Sequence, residues 1–297
     1  FVILTRLDYD KALKQFRIVA ISLVICIAIP YLLKKFRFLD RFAWVYAIIG
    51  VLALGIVLFL GSLTHGSKIS YTIAGYTFQP SEFVKIVFVF FVAAMLARSK
   101  SFGQIVITSC VAAAHVIILV ASKDLGSALI FFVVYVVMVF TATHNYFYLI
   151  LGTLGGCGAC VIAYKLFTHV QVRVQAWQDP WSYIDGKGYQ ITQSLFAIGT
   201  GGWFGMGLYQ GDPTSIPYVE ADFIFSAIAE EMGVIFSICL VLICLSSFIA
   251  FMYIAMRLKN EFYRNVAVGL AVTYIFQIFL TIGGGTKFIP LTGVTLP

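Results

Sequence analysis

The sequence predicts an all-α membrane protein that crosses the bilayer several times. Hydrophobic residues make up 61% of the 297-residue chain and charged residues 11%, and the mean hydropathy is +0.97. Apolar segments near the ~20 residues needed to cross hydrocarbon recur along the chain. The basic residues behind the net charge of +7 lie mainly in short loops between those segments, where membrane topology accounts for them. We therefore expect membrane lipids around the chain and no nucleic-acid partner.

Eight spans are predicted from hydropathy. They cover about 17–33, 42–63, 83–98, 104–121, 126–142, 147–167, 222–256 and 265–285. The seventh is too long for one straight crossing, and we expect Gly233 to break it into an entry helix and a true span. No internal repeat is visible, which weakens an interpretation as an inverted-repeat transporter. Because the chain begins without Met and ends after an apolar loop, we expect a fragment of a longer protein.

Short loops rich in Lys and Arg indicate which ends of the spans face the cytoplasm. Three of them, at 34–41, 98–100 and 257–264, share one side if the eight spans hold. The segment 1–17 is the exception, because its four basic residues lie on the predicted outer side. The extracytoplasmic side also receives the long loop 168–221, which we expect to be structured because it contains three tryptophans and few low-complexity runs.

A stripe of polar residues is predicted at the start of the seventh span. At helical spacing, Asp222, Ser226 and Glu230 fall on one face, and Glu231 follows directly. An ionised carboxylate at membrane depth is costly unless it is paired, hydrated or facing a cavity. The stripe therefore predicts a hydrated, charged site with Asp222 at its entrance. We expect the deeper Glu230 and Glu231 to hold helices together.

Two shorter motifs add charged residues to the outer side. Glu82, in the first turn of the third span, suits the helix dipole, but Lys85 one turn deeper needs an anionic partner or a hydrated cavity. Asp124 links two apolar helices and is either an N-cap or a second outer-face carboxylate. Both the structural and the functional interpretation stay open for these residues.

The long loop supplies further candidates for binding. Residues 189–198 predict a short amphipathic helix in the membrane interface, and we expect its Gln193 and Ser194 to contact substrate. Arg173, Lys187 and Lys287 are cations of the kind that holds diphosphates, although nearby aromatic residues are also typical of a membrane belt. The glycines at 199–207 lack the preceding strand of a nucleotide-binding loop, so they predict sharp turns or close backbone approach.

Several motifs, in order along the chain, resemble one family. They are QPSEFVKI (79–86), KDLGSALI (123–130), DPW (179–181) with GKGYQITQSLFAIGTGGWFGMGL (186–208), EADFIFSAIAEEMG (220–233) and KFIPLTGVTLP (287–297). The chain resembles the SEDS proteins, the FtsW/RodA/SpoVE group of bacterial cell-wall polymerases, from end to end. It departs from that pattern where Glu220 and Ala221 replace a common His-Thr pair and where Lys123 replaces Pro.

The resemblance implies one SEDS-type domain over 1–297, with eight spans visible of ten and the first and last helices missing. It implies a peptidoglycan glycosyltransferase in the bacterial cytoplasmic membrane, acting in division, elongation or sporulation. Such an enzyme polymerises lipid II at the outer face and releases undecaprenyl diphosphate. The family's essential loop aspartate corresponds to Asp222, its acid and base in QPSE-x-x-K to Glu82 and Lys85, and its DLG aspartate to Asp124.

From these residues we expect Asp222 to act as general base, with Arg173, Lys85 or Lys287 neutralising the leaving diphosphate. A divalent cation, Mg²⁺ or Mn²⁺, is an alternative source of that charge. The resemblance also implies a partner, a class B penicillin-binding protein that acts as transpeptidase. A flippase or other transporter of lipid-linked precursors, and a non-enzymatic scaffold, are the competing hypotheses. The flippase hypothesis predicts charged residues along a route across the membrane, whereas the predicted cytoplasmic halves of the spans contain few polar or charged residues.

Overall fold

The computed structural model describes residues 1–35, 38–60, 62–64, 67–73 and 76–296. Most of them are helical, as the composition predicts. The helices are α1 (Val2–Leu7), α2 (Tyr9–Lys35), α3 (Ala43–Leu60), α4 (Pro80–Arg98), α5 (Phe102–Ala121), α6 (Leu125–Thr143), α7 (Tyr146–Leu166), α8 (Thr168–Gln178), α9 (Tyr189–Gly201), α10 (Ile224–Arg257) and α11 (Glu261–Gly285). Short 3₁₀ turns lie at Leu39–Phe42, Trp181–Tyr183 and Pro213–Ser215.

Eight of these helices are long and apolar enough to cross a membrane, which confirms the predicted polytopic fold within the described residues. They are α2 to α7, α10 and α11. The main difference is α2, which begins at Tyr9, whereas the first span was predicted from about residue 17. Hydropathy placed that boundary after the basic residues Lys11, Lys14 and Arg17. The helix accommodates Lys11 through ion pairs with Asp8 (3.5 Å) and Glu220 (2.6 Å).

A small antiparallel sheet was not predicted from the sequence. Strands β1 (Ser62–Thr64), β2 (Ser67–Ile73) and β3 (Tyr76–Phe78) pair in the order β1-β2-β3. Ser62 lies opposite Ser70, and Tyr71 lies opposite Phe78. This sheet lies within residues 62–78, of which 65, 66, 74 and 75 lie outside the described part of the chain. Arg37, one of the basic residues used for orientation, also lies outside it.

The chain divides into two compact units. The first comprises Phe1–Arg37, Ile162–Ser246 and Gln277–Pro297, and the second comprises Phe38–Val161 and Ser247–Phe276. In the second unit α4 is the most buried span, and Phe88 packs against Phe131 of α6 with ring centroids 4.7 Å apart. His115 of α5 is fully buried beside these rings and lies against Gly50 of α3, which has no room for a side chain there.

In the first unit the short helix α1 is part of the core. Its Ile3 is buried in one cluster with Ile216, Val219, Phe223 and Ala227, so the N-terminal helix packs on the segment that leads into α10. The residues that follow α11 turn back and run along this helix. Thr281 of α11 donates a hydrogen bond to the carbonyl of Val294 in that segment (2.8 Å). This unit contains Asp222 and the long loop.

Candidate active site

Asp222 lies in a turn just before α10, not within the helix. The amides of Ala221 and Asp222 donate to the carbonyl of Tyr218 at 3.0 and 3.1 Å, and Tyr218 has a positive φ of 60°. The side chain of Asp222 is partly exposed, whereas Val219 and the adjacent Phe223 are buried. The predicted continuous helical stripe is therefore wrong at its first member, because the helix begins only at Ile224. The turn itself fixes the position of Asp222.

Ser226, the second residue of the stripe, ties three helices together. The hydroxyl of Ser194 in α9 donates to the carbonyl of Gly285 in α11 (2.7 Å). A hydroxyl has one hydrogen to give, so the 2.6 Å contact between the two serines is a bond from Ser226 Oγ to Ser194 Oγ. Both side chains are fully buried. Ser194 was expected to contact substrate, and in the structure its side chain is buried in these contacts between helices.

Glu230 and Glu231 form a buried cluster with the N-terminal helix. Glu231 Oε1 lies 3.1 Å from Nε of Arg6, which also donates from Nη2 to the carbonyl of Gly211 (3.2 Å). Glu230 Oε1 accepts from the amide of Asp212 (3.0 Å). Among the described residues, the second carboxylate oxygens of Glu230 and Glu231 are buried without a hydrogen-bond partner. These glutamates join separate segments of the fold.

The glycine-rich loop, residues 202–211, fills a break in α10. Gly233 has φ 85° and ψ 171°, which interrupts the helix at the predicted position. In an unbroken helix the amides of Val234 and Ile235 would donate to the carbonyls of Glu230 and Glu231. They donate instead to the carbonyls of Gly202 (2.9 Å) and Trp203 (3.3 Å). In return, the amides of Met206 and Gly207 donate to the carbonyls of Glu230 (2.9 Å) and Glu231 (3.0 Å).

The glycines make this exchange possible. Gly205 has φ 82°, and a Cβ there would overlap the backbone of Glu231, while a Cβ on Gly233 would overlap the backbone of the loop. Close backbone approach is thus confirmed for Gly201 and Gly205, whereas Gly202 and Gly207 have positive φ and so allow sharp turns.

We expect Gly205→Ala to destabilise the protein by about 1–3 kcal/mol, because alanine adds left-handed strain to a steric overlap. Gly199→Ala is the matched control, since a Cβ there meets nothing within 4 Å. The control should be neutral or slightly stabilising in the helix. Thermal unfolding in detergent measures both variants, and equal midpoints would contradict the proposed packing.

The predicted cations of the first unit occupy three different settings. Arg173 donates from Nη1 to the carbonyl of Thr292 (2.9 Å), so it holds the C-terminal segment. Lys287 has φ 59° and is partly exposed, and its carbonyl accepts from Trp177 Nε1 (3.1 Å). Lys187 is exposed, with its ammonium 5.9 Å from the ring centroid of Tyr183. Lys287 and Lys187 are therefore accessible to an anion.

The first unit also contains the polar residues Asp179 and Gln193. Asp179 accepts from the hydroxyl (2.5 Å) and the amide (3.2 Å) of Ser182, and these bonds hold the pKa of Asp179 below its ordinary value. The charge of Lys287 lowers that pKa further. Gln193 of α9 is partly exposed, in contrast to Ser194 next to it. Gln193 thus stays a candidate for contact with a ligand.

The second unit contains the remaining predicted site residues, each with a nearby partner. The buried Lys85 places Nζ 2.7 Å from Oε2 of Glu82, which supplies the anionic partner that its depth requires. Asp124 caps α6, because its Oδ1 accepts from the amide of Ser127 (3.1 Å). Its Oδ2 accepts from Ser81 Oγ at 3.3 Å and from Gln79 Nε2 at 3.4 Å. The motifs around Glu82 and Asp124 therefore meet in space.

No group of three His, Cys, Asp or Glu side chains suited to a metal ion occurs in the described part of the chain. The carboxylates are instead distributed over ion pairs, caps and turns.

Comparison with known proteins decides the family. The family model described as "Cell cycle protein", which covers FtsW, RodA and SpoVE, matches residues 4–297. The chain belongs to this family. The resemblance seen in the motifs is confirmed.

Two relatives and one solved structure illustrate the similarity. The peptidoglycan glycosyltransferase RodA of Mycobacterium tuberculosis is 34% identical over 89% of this chain and 61% of the relative. Stage V sporulation protein E of Bacillus subtilis is 32% identical over 80% of this chain and 67% of the relative. A structure described as "Structural coordination of polymerization and crosslinking by a peptidoglycan synthase complex" covers 100% of this chain and 86% of its own, with TM-score 0.81 and 23% identity. That structure supports the fold. The chain spans about three-fifths of the length of the RodA relative.

Two ion pairs of this family member were not predicted from the sequence. Arg6 pairs with Glu231, and Lys11 Nζ lies 2.6 Å from Glu220 Oε1, two residues before Asp222. The basic residues of segment 1–17 were counted only as an exception to the charge rule. The one available signal was that these basic residues and the acidic residues at 220–231 were assigned to the same side.

The pair between Lys11 and Glu220 predicts a small pH dependence of stability. The hydrogen bond from Lys11 holds the pKa of Glu220 below its ordinary value, although partial burial opposes this. The pair therefore stabilises the fold above the unfolded-state pKa of about 4.3, and this contribution is lost as the pH falls through the folded-state pKa. Lys11 is half exposed, so we expect less than about 1 kcal/mol. Thermal midpoints of the wild type and Glu220→Gln should differ at neutral pH and converge in acid.

Proposed function

We propose that this chain is the membrane domain of a peptidoglycan glycosyltransferase that polymerises lipid II into glycan strands. The observation that carries the proposal is Asp222, a partly exposed carboxylate in a hydrogen-bonded turn between buried neighbours. Its family relatives include proteins named peptidoglycan glycosyltransferase. A general base needs this combination of access and fixed position.

In the proposed reaction Asp222 accepts the proton of the acceptor sugar hydroxyl. That oxygen attacks the anomeric carbon of the donor, a new glycosidic bond forms, and the bond to the diphosphate breaks with inversion. The products are a longer glycan chain on one lipid carrier and free undecaprenyl diphosphate. Because a carboxylate must be ionised to accept the proton, nearby cations would favour the active form.

Cationic side chains would stabilise the charge that develops on the leaving diphosphate. Lys287 and Lys187 are accessible. Arg173 donates to the carbonyl of Thr292, in the segment that follows Lys287. Gln193 would contact the sugar or peptide, and Ser194 would position α9 through its bond with Ser226. The roles proposed for Glu82, Lys85 and Asp124 in substrate binding rest on the family motifs. Mg²⁺ or Mn²⁺ is an alternative source of positive charge at the diphosphate.

The chain is a polytopic membrane protein, and we place the site on the extracytoplasmic side of the bacterial cytoplasmic membrane. Three short loops rich in Lys and Arg share the opposite side in the predicted topology. The long loop with Asp222 and the exposed Lys187 would then face the compartment where the glycan is assembled.

We further propose that the protein works with a class B penicillin-binding protein as transpeptidase. The similar solved structure concerns a complex that coordinates polymerisation with crosslinking. Coupling in one complex would place each new strand next to the enzyme that crosslinks it.

Gel analysis of polymer made from labelled lipid II tests the proposal. Purified full-length protein should form glycan ladders, and a transpeptidase partner should raise the yield. If vesicles containing the protein move labelled lipid II across the membrane without forming polymer, and Asp222→Asn does not change that movement, a flippase is favoured instead. A protein that stays folded and does neither would support a scaffold.

A further inference from the structure

The glycine-rich loop carries an exposed apolar surface that the proposed reaction does not use. Trp203, Phe204, Met206, Leu208 and Tyr209 are all exposed, and Phe204 is 84% exposed, the highest value among the large hydrophobic side chains of the described residues. No charged residue occurs between 203 and 209. A run of exposed apolar side chains of this kind on a structured loop marks an interaction surface, which the guanidinium of Arg6 borders at Tyr209.

The loop is also held at a defined level relative to a membrane span. Its carbonyls at Gly202 and Trp203 accept from the amides of Val234 and Ile235, the first residues after the break in α10. Ile235, Phe236 and Ile238 are exposed on the same apolar span. The loop surface therefore adjoins the lipid-facing residues at this end of the span.

Part of the backbone of the loop is paired within the protein. Irregular chain is excluded from lipid unless its polar groups are satisfied by the protein. Here the amides of Gly202, Gly205, Met206 and Gly207 all donate to carbonyls of the protein. The carbonyls of Gly202 and Trp203 are satisfied as well. These bonds tie the loop backbone on both sides of Phe204 to the protein.

From these observations we propose that the glycine-rich loop inserts Trp203, Phe204 and Met206 into the bilayer leaflet at this end of α10. The occupant of the surface is membrane lipid. Indole rings favour the headgroup boundary, and the Phe and Met side chains favour the adjacent acyl region. Because the loop bonds to the carbonyls of Glu230 and Glu231, insertion also fixes the depth of the helix that follows Asp222. The inference is independent of the reaction and of which leaflet is involved.

Site-specific photo-crosslinking in lipid nanodiscs tests this placement. The full-length protein carries p-benzoylphenylalanine at Phe204, at Phe236 as the lipid-facing control, or at Asp185 as the control at an exposed charged residue. After irradiation, intact mass should show a one-phospholipid adduct for Phe204 at a yield close to that for Phe236. A yield no higher than that for Asp185 would overturn the proposal. A crosslink from position 204 to an added transpeptidase, in place of the phospholipid adduct, would also overturn it, because the surface would then bind protein.

A second measurement leaves the rest of the loop intact. The difference in fluorescence between the wild type and Trp203→Phe isolates the emission of Trp203 from that of the other tryptophans. We expect lipids with brominated acyl chains to quench most of this emission, and the aqueous quencher acrylamide to leave most of it. The reverse pattern would place Trp203 in water and contradict insertion.

Discussion

Asp222→Asn is expected to lower the rate of glycan polymerisation by about 100- to 10,000-fold, the usual contribution of a general base. Asparagine has nearly the same shape, but its amide cannot accept the proton of the acceptor hydroxyl. The backbone bond from residue 222 to Tyr218 does not involve the side chain, so the turn should persist. The effect should therefore fall on kcat, with a smaller change in KM.

Glu220→Gln is the matched control for this substitution. Glu220 is a carboxylate two residues away, and it pairs with Lys11 at 2.6 Å. We expect this variant to keep most of its activity, because its carboxylate is assigned to no chemical step. The consumption of labelled lipid II and the thermal midpoint are measured for both variants. Polymerisation by Asp222→Asn at the wild-type rate, with an unchanged midpoint, would remove Asp222 from the mechanism.

Arg6→Met should destabilise the protein by about 3–5 kcal/mol, the usual cost of removing one partner from a buried ion pair. The carboxylate of Glu231 is fully buried, and Arg6 also donates to Gly211 and lies over the ring of Tyr209 with 5.3 Å from Cζ to the centroid. Methionine preserves much of the apolar stem but leaves the carboxylate without its cation. The thermal and denaturant-induced unfolding of the purified protein in detergent measures the loss.

Two further variants separate charge from packing. Lys11→Met removes a half-exposed ion pair and should cost less than about 1 kcal/mol. The double variant Arg6→Met/Glu231→Met removes both buried charges and should recover much of the stability lost by Arg6→Met, because an apolar pair can replace a buried ion pair at little cost. A double variant less stable than Arg6→Met would show that the charge itself is not the source of the effect.

Local features of the fold were predictable because they depend on residues close in sequence. The break at Gly233 follows from one glycine in a segment too long for a single crossing, and the structure confirms it. The helix at 189–198 follows from hydrophobic spacing, and α9 contains it. The cap at Asp124 and the position of Glu82 in the first turn of α4 follow from helix-end preferences. The sheet at 62–78 was missed because two of its three strands have only three residues each, too few to show an alternating pattern.

Predictions about which side of an element faces the protein were less successful. Ser194 was expected to contact substrate, yet it is buried because a partner hydroxyl on α10 and a carbonyl on α11 satisfy it. Asp222 was placed in the helix, yet it lies in a turn that begins at Tyr218 and precedes α10. Both errors have one cause. Helical periodicity predicts which residues share a face, but not which polar residues find partners elsewhere in the chain.

The sequence by itself determined the class of the protein, its eight apolar helices, the helix break and the family to which it belongs. These follow from hydropathy, from single glycines and prolines, and from contiguous motifs. Only the tertiary structure decided that Arg6 neutralises Glu231, 225 positions away, and that the glycine-rich loop supplies the hydrogen bonds that the break in α10 leaves open. The reason is physical: a buried charge or an unpaired amide requires a partner, but its own sequence neighbourhood does not specify which distant segment provides it.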